Sequence, residues 1–354
     1  MKRLVILVLA FSLMMSGCSG WMDASHVTVR SHQAQIPNVQ SGTVSASDYS
    51  QLRDVLKNLV DAGAESGVIN VAEYDPDTLA IGMKRAVSYI CEQYPLGVYA
   101  VDTINYEIGT GGGQPAVSVG ISYIHGRSEI RQIQQKVDME QAKEAIYDNL
   151  ESCGDGLVLL VKSYKETDIS QIVADYAQNN PQLVVETPQV AVGVYPEMGL
   201  SRIVELKFTY QSSRDVLRQM QSQVQRVFTS AVYYINSDGA EAQKYAQLYT
   251  FLMERFDYKI ETSITPPYSL LIHGVGDSKA FAAVYAAMCR QTELECQVVS
   301  GTRNGEPWYW NLICQDGVYY HVDLLQSDES GVLQTLTGEQ MEGYVWDYSA
   351  YPAS

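Results

Sequence analysis

The side chains that could carry out nucleophilic chemistry lie near the C-terminus. Ser278 stands where an Ala-rich helix is predicted to begin, directly after Asp277. Asp323 ends a predicted strand, and His321 lies two residues before it. A hydroxyl, an imidazole and a carboxylate are the groups of a serine nucleophile, its base and the residue that orients the base. These residue types permit a serine-dependent amidohydrolase or acyltransferase, provided that the fold brings them together.

The positions of the histidines argue against such a site. Side chains alternate along a strand, so His321 and Asp323 share a face about 6.6 Å apart along the chain. His273 lies five residues before Ser278 and would reach its hydroxyl only through a loop that folds back. We therefore expect His321 to be a polar residue at the rim of a cleft. A Ser278 nucleophile with His321 or His273 as its base stays the alternative.

The helix that begins at Ser278 is well marked in the sequence. Asp277 has the residue type of an N-cap, because its carboxylate can accept from backbone N–H groups of the first turn. The apolar positions recur at helical spacing and predict a buried stripe. They are Ala280, Ala283, Val284, Ala287 and Met288.

Four segments around this helix share the spacing of a known superfamily. They read L-I-H-G-V-G-D-S-K-A-F-A from Leu271, then L-E-C-Q-V-V-S-G, G-E-P-W-Y-W-N and D-G-V-Y-Y-H-V-D. Together they resemble the core of the transglutaminase-like (papain-related) superfamily. The tail is similar to that of bacterial members at Met341, Trp346, Asp347, Tyr351 and Pro352. The resemblance extends over the last third of the chain.

The resemblance implies which residues would carry chemistry. In that superfamily a Cys opens the helix, a His starts the next strand motif and an Asp ends the strand after it. The corresponding positions hold Ser278, Trp308 and Asp323, so only the Asp is kept. A hydroxyl is less acidic than a thiol and depends more on a base, whereas an indole N–H has no basic lone pair. We therefore predict a pseudoenzyme with no catalytic residue, cofactor or metal.

Aromatic residues suggest a second use for the same region. Alternation predicts that Trp308, Trp310 and Tyr319 share the cleft side of neighbouring strands, with Tyr309 and Tyr320 on the other side. Aromatic rings stack on sugars, peptides and cations. Because active members keep the equivalent of Trp310, its role is packing, and Trp308 is the better binding candidate. Simple filling of an inactive cleft by Trp308 is the other interpretation.

The N-terminus predicts export and lipidation. Lys2 and Arg3 precede a short apolar run, and Met15-Ser16-Gly17-Cys18 resembles a bacterial lipobox. We predict a signal peptide at 1–17, acylation of Cys18 and a flexible tether through residue 48. An ordinary secretory signal with an incidental Cys18 is the alternative. The expected location is extracytoplasmic, with the protein lipid-anchored to the cell membrane.

The net charge limits the classes of partner that the protein could bind. The chain carries −17, and loss of residues 1–17 leaves 22 of 24 basic residues against 41 acidic ones, or −19. Such a surface repels nucleic acid. An envelope protein, a peptide or a glycan remains as a partner.

Five cysteines besides Cys18, without a C-x-x-C pair, argue against a zinc site or a full disulfide framework. Cys296 and Cys314 either form a bridge or are small buried apolar residues.

The middle of the chain contains an internal repeat. Tyr123-I-H-G-R-S-E-I-R-Q-I-Q-Q-K-Val137 aligns with Tyr210-Q-S-S-R-D-V-L-R-Q-M-Q-S-Q-Val224 without gaps. The residue pattern of each copy predicts a strand, a helix, two strands and a second helix, in that order. The matched arginines are either solvated or bind an acidic partner. The glycines at 109–113 predict a hairpin rather than a phosphate loop, because they lie between two strands.

We therefore predict an α+β protein with three folded parts. A first α/β module with a leading helix covers 49–150, a second covers 151–235 and a transglutaminase-like domain covers 236–354. The leading functional hypothesis is a binding or scaffold module at the cell envelope. A third hypothesis is that the repeated modules carry the function and that the C-terminal domain only supports them.

Overall fold

The computed structural model describes residues 44–259 and 266–354. The predicted signal peptide, Cys18 and nearly all of the tether lie outside these residues. Within the described ranges, no helix combines the length and the apolar character that a membrane span needs. The chain from residue 43 onward forms one compact unit. Its architecture is mixed α+β, as predicted.

The first sheet has four strands in the order β1-β2-β4-β3. The β1–β2 pair is parallel and the other pairs are antiparallel. Helices α1 and α2 pack with the sheet in one apolar core. The elements are β1 Val44–Ser45, α1 Tyr49–Asp61, β2 Ser66–Asn70, α2 Pro76–Glu92, α3 Pro95–Ala100, β3 Val101–Gly111 and β4 Gln114–Tyr123.

The second sheet repeats this strand order as β5-β6-β8-β7, with the same pair directions. Val44 pairs with Ile69 in the first sheet, and Gln134 pairs with Leu159 in the second. Both residues of the second pair lie the same number of positions further along the chain, so the registers of the two sheets match. A single turn, α4 Arg127–Ile130, precedes this sheet. Its elements are β5 Gln134–Asp138, α5 Met139–Glu151, β6 Gly156–Ser163, α6 Ile169–Asn179, β7 Gln189–Tyr195 and β8 Arg202–Thr209. The duplication of the sequence stays a prediction, with which the matching sheets agree.

The module boundaries differ from the predicted ones. β1 lies inside the predicted tether, and β5 with α5 belongs to the second sheet although both precede residue 151. The predicted helix at the end of the first copy is only the turn α4. Beyond it, residues 134–138 pair with β6 instead of continuing the helix. In the second copy, Val224, Phe228 and Ala231 extend the apolar stripe, so the helix continues.

Aspartates begin most of the helices that shape the two modules. The side chains of Asp48, Asp138 and Asp168 each accept from the backbone N–H three residues ahead. Such caps satisfy donors that a helix leaves free at its start. The predicted hairpin at 109–113 joins β3 to β4, and Gly112 and Gly113 take positive φ there.

The C-terminal part has a third sheet, in the order β13-β12-β11-β14. Helix α10 packs against it in a core that also contains α7. The elements are α7 Arg214–Tyr234, α8 Glu241–Met253, β9 Asp257–Tyr258, a short turn α9 Pro266–Tyr268, a π-helix Ser269–His273, β10 Val275–Gly276, α10 Ser278–Gln291, β11 Cys296–Arg303, β12 Glu306–Gln315, β13 Val318–Val322, α11 Leu324–Asp328 and β14 Tyr344–Trp346. Since Leu217, Met220 and Phe228 are buried in this core, the domain begins before the predicted residue 236.

The cysteines in the described ranges are free. Cys296 pairs across the ladder with Ile313 and lies in the core beneath α10. Cys314 follows Ile313, so its side chain points to the opposite face of the sheet. The pairing that we kept open between Cys296 and Cys314 is therefore not supported by the register.

Candidate functional site

Helix α10 places Ser278 at its first position. Asp277 is the N-cap, as predicted, and its carboxylate accepts from the backbone N–H of Ala280 at 2.8 Å. The chain reaches this point through Gly274, whose φ of 81° ends the preceding π-helix. The helix that follows is buried along almost its whole length, because it lies between the sheet, α7 and α8.

Ser278 does not open onto a cleft. Its side chain is buried, with 7% of the residue exposed. The gap beside it is bordered by Phe281, Tyr309, Asn311 and Asp323 and has no room for a water molecule. No hydrogen bond joins the Ser278 hydroxyl to another residue in the described part of the chain. The hydroxyl thus has neither a base nor space for a substrate next to it.

Strand β12 places Trp308 at the position that the resemblance assigns to the base. Its indole Nε1 donates to Asp323 Oδ2 at 2.7 Å. Trp308 therefore makes a donor contact with the carboxylate but offers no atom that accepts a proton. Opposite Trp308 in the ladder stands Gly301. A Cβ at Gly301 would lie 2.8 Å from the ring of Trp310, so this strand needs glycine there.

Asp323 is buried and fully engaged. Its carboxylate accepts from the Tyr344 hydroxyl at 2.7 Å and from the backbone N–H groups of Leu325 and Gln326 at 3.0 and 3.2 Å. Arg303 adds an ion pair at 3.7 Å. Burial, followed by the charge of Asp323, raises the pKa of Tyr344. Tyr344 is therefore a neutral donor, and Asp323 serves as the N-cap of α11.

Arg303 and Tyr258 complete the surroundings of Trp308. The Arg303 guanidinium lies 5.4 Å from the centroid of the Trp308 ring and 5.6 Å from that of Tyr344. The rings of Tyr258 and Trp308 are tilted, with centroids 5.8 Å apart. Tyr258 is 46% exposed, whereas Trp308 is half-buried. The surface of this group is thus an aromatic pair beside a partly covered cation.

We had expected His321 at the rim of a cleft, but the structure places it in the interior. It is 1% exposed, and its Nδ1 accepts from Trp310 Nε1 at 3.0 Å. Its ring also lies 4.6 Å from the ring of Trp346. Burial lowers the pKa of His321 to about 4. The neutral imidazole is therefore a structural acceptor between two tryptophans and is separated from Ser278.

The alternative base, His273, also makes no contact with the hydroxyl. Its ring meets the edge of Tyr268 at a centroid distance of 5.9 Å. No hydrogen bond links His273 to Ser278 within the described ranges. The structure therefore assembles neither of the two serine sites that the sequence left open.

The aromatic predictions hold only in part. The register places Trp308, Trp310 and Tyr319 on one face, but this face is turned away from α10. Tyr319 pairs with Cys314, about 20 Å along the sheet from Trp308. Its hydroxyl donates to Glu295 at 2.8 Å. Tyr319 is thus not part of the site, whereas Tyr309, from the other face, borders Ser278.

Three residues of the site, Arg303, Tyr344 and Tyr258, were not predicted from the sequence. Arg303 and Tyr344 face each other across the β11–β14 ladder, which brings both to Asp323. The matched tail at Met341–Pro352 was the signal that could have indicated this contact. Among the described residues, no group of three or more His, Cys, Asp or Glu could hold a metal ion.

A comparison with protein families agrees with this geometry. The model of the transglutaminase-like superfamily matches residues 229–349. These residues form a transglutaminase-like domain. The match begins within α7, in agreement with the core that this helix shares with α10. Members of the superfamily are usually cysteine protease-like enzymes.

Solved structures show only a distant similarity. A structure titled as a TGase has 10% identity and a TM-score of 0.27, covering 62% of this chain and 65% of its own. A candidate cysteine protease from Cytophaga hutchinsonii has 12% identity and a TM-score of 0.23, covering 44% and 70%. A candidate protease from Parabacteroides distasonis has 9% identity and a TM-score of 0.23, covering 72% and 39%. The chain spans less than two thirds of the TGase. No curated protein matches this chain.

Proposed function

We propose that the transglutaminase-like domain is catalytically inactive and acts as a binding or scaffold module of a membrane-anchored lipoprotein. The observation that carries this proposal is the hydrogen bond from Trp308 Nε1 to Asp323. The carboxylate oxygen that would orient a base is occupied by the indole N–H, and an indole cannot take a proton. A hydroxyl nucleophile must lose its proton to a base during attack. Ser278 has no such base.

The hydrogen bonding of His321 and the enclosure of Ser278 support the same conclusion. His321 is the basic side chain nearest in sequence to Asp323, and its Nδ1 is occupied by Trp310. The hydroxyl of Ser278 is enclosed by side chains that leave no room for water. A hydrolytic water or an acyl acceptor would therefore need the core to open before it reached Ser278. Loss of the base and loss of access both point to binding rather than turnover.

The anchored, extracytoplasmic location rests on the sequence alone. Cys18 in a lipobox-like setting and the basic, apolar start of the chain support it. An anchor would leave the acidic modules facing the cell envelope, where a protein, peptide or glycan is the expected partner. Tyr258 and Trp308 form an aromatic pair of this domain that such a partner can contact.

The experiment is an activity comparison with a matched variant. Purified protein is assayed for peptidase, amidase and acyl-transfer activity and is treated with a serine-acylating probe, alongside Ser278→Ala and the buried control Ser269→Ala. We expect no turnover above background in any of the three proteins and no adduct at Ser278. Turnover or labelling that Ser278→Ala abolishes and Ser269→Ala keeps would establish the serine enzyme instead.

A further inference from the structure

The first module carries an open groove of about 820 Å³ that is separate from the transglutaminase-like domain. Its walls come from the loop after α1, from β3 and β4, and from α4. The polar side chains that border it are Glu65, Asn105, Ser122 and Arg127. Ligand sites in proteins commonly have 300–1,000 Å³. The groove therefore has the size of a site for a small ligand.

The floor of the groove is the exposed face of the first sheet. Asn105 and Gly120 pair across β3 and β4, and both are exposed. A Cβ on Gly120 would find nothing within 4 Å, so the absence of a side chain leaves the floor open. The hydroxyls of Ser122 and Thr103 are bonded to each other at 2.6 Å. The Ser122 hydroxyl also donates to Asp102 Oδ2 at 3.4 Å, so this polar face combines hydroxyl and amide groups with carboxylates.

The equivalent region of the second module shows what its arginines bind. Arg214 and Arg218 both donate to the backbone carbonyl of Ser152, at 3.1 and 3.2 Å. Gln221 donates to the carbonyl of Glu151 at 2.9 Å. These carbonyls lie at the C-terminal end of α5, where a helix has free acceptors and partial negative charge. Arg214 and Arg218 therefore have partners within the protein.

In the first module a tyrosine of the same motif, and not an arginine, donates to a carbonyl near the end of the corresponding helix. The hydroxyl of Tyr123 donates to the carbonyl of Ala64, just after α1, at 2.9 Å. Tyr210, which matches Tyr123 in the second module, has a buried hydroxyl without a described partner. The guanidinium groups of Arg127 and Arg131 make no hydrogen bond or ion pair within the described ranges, although the Arg131 backbone N–H donates to the Arg127 carbonyl at 3.2 Å. The exchange leaves the guanidinium of Arg127 available at the groove.

The position of Arg127 is fixed even though its guanidinium is exposed. Gly63 takes a φ of 59°, and a Cβ there would lie 2.9 Å from Arg127 Cβ. The stem of Arg127 thus packs directly on a glycine that has no room for a side chain. Glu129, the nearest acid on α4, is already engaged by Gly126 N–H and His125. No neighbouring carboxylate in the turn competes for the Arg127 guanidinium.

We propose that this groove binds a short peptide and that Arg127 holds its C-terminal carboxylate. A guanidinium presents a planar set of donors that matches a carboxylate. Asn105 and Ser122 can exchange hydrogen bonds with peptide groups, and Glu65 can accept from a peptide N–H or an ammonium. A polyanion is disfavoured, because the chain carries −17 and repels multiple negative charges. The site is independent of Ser278 and of the anchor.

The test is calorimetric titration of the full chain with tri-alanine and with its C-terminal amide. We expect the acid to bind and the amide to bind at least tenfold more weakly. Arg127→Gln should weaken binding of the acid at least tenfold, and Gly120→Leu should abolish it by filling the floor. Arg131→Gln is the matched control, since it removes the same charge outside the groove, and it should bind tri-alanine like the parent. Circular dichroism checks that each variant is folded.

Three outcomes overturn the proposal. The first is no heat of binding for tri-alanine at millimolar concentration. The second is equal binding of the acid and the amide, which would exclude the carboxylate. The third is equal weakening by Arg127→Gln and Arg131→Gln, which would mean a general charge effect. Because the assay measures binding in the first module, it leaves the catalytic status of Ser278 to the activity comparison.

Discussion

At the residue scale, Trp308 decides what the C-terminal site can do. Its N–H reaches Asp323 at 2.7 Å, so the carboxylate stays paired although no base is present. A carboxylate buried without partners would cost several kcal/mol. Trp308, Tyr344 and two backbone N–H groups prevent that cost. The group around Asp323 is thus a structural network.

Replacing Trp308 by Phe should weaken this network measurably. Trp308→Phe removes one donor to a buried carboxylate, so we expect the free energy of unfolding to fall by about 1–3 kcal/mol. Tyr309→Phe is the control, because the Tyr309 hydroxyl makes no described hydrogen bond, and it should cost less than about 0.5 kcal/mol. Urea unfolding of both variants measures the difference. Equal losses would contradict a stabilising hydrogen bond from the indole to Asp323.

His321 makes stability depend on pH in a defined window. Its folded pKa of about 4 lies below the ordinary value of 6.5, so the unfolded chain binds the proton more readily. The contribution is therefore complete above pH 6.5 and is lost as the pH falls toward 4. From pH 7.5 to pH 5 we expect a loss of about 2 kcal/mol from this residue.

His321→Gln is the variant that isolates this effect. Its amide oxygen can still accept from Trp310 but does not titrate. Urea unfolding at pH 5 and pH 7.5 should show a decrease that is smaller by about 2 kcal/mol in the variant than in the parent. A decrease of the same size in both proteins would assign the pH dependence to other groups.

At the element scale, the sequence predicted what local patterns control. The start of α10 at Asp277, the strands after it and the hairpin at 109–113 are all present in the structure. Residues 134–138 show the limit, because their place in a sheet depends on β6, a partner further along the chain. A pattern within one segment does not contain that information.

The same limit applies to the site. Asp277, Ser278 and Asp323 were found because motif spacing marks them. The burial of His321 depends on Trp346, and the contact of Tyr344 with Asp323 depends on β14 pairing with β11. Both contacts join residues that are more than 20 positions apart. Alternation correctly predicted that Trp308 shares a face of the sheet with Trp310 and Tyr319. It did not predict that this face is turned away from α10.

Helix α7 gives a prediction about where the C-terminal domain begins. Leu217, Met220, Val224 and Phe228 of this helix are buried in the core around α10. Loss of several such side chains costs about 2–5 kcal/mol each, which exceeds the stability of most domains. A fragment from residue 211 to the C-terminus should unfold cooperatively in urea, whereas one from residue 236 should not. Cooperative unfolding of the shorter fragment would contradict the role of α7.

At the scale of the whole molecule, acidity and the predicted anchor act together. A net charge of −17 gives no attraction to anionic headgroups, so attachment would depend on the acyl chains at Cys18. Cys18→Ser should move the protein from the membrane fraction to the soluble fraction after cell lysis. Cys91→Ser, at a partly buried cysteine, is the control and should leave the distribution unchanged. A Cys18→Ser protein that stays with the membrane would remove the support for lipidation.

Helix α7 also connects the second module to the C-terminal domain. Its first turns bind the end of α5 through Arg214 and Arg218, and its apolar stripe is buried in the C-terminal core. Ile203 of the second sheet lies in turn within the core of the first module. Packed contacts among the described residues therefore connect the module that holds Arg127 to the domain that holds Trp308. A partner that carries groups for both would meet the second site at high effective concentration, and its avidity could exceed either affinity by about 10²–10⁴.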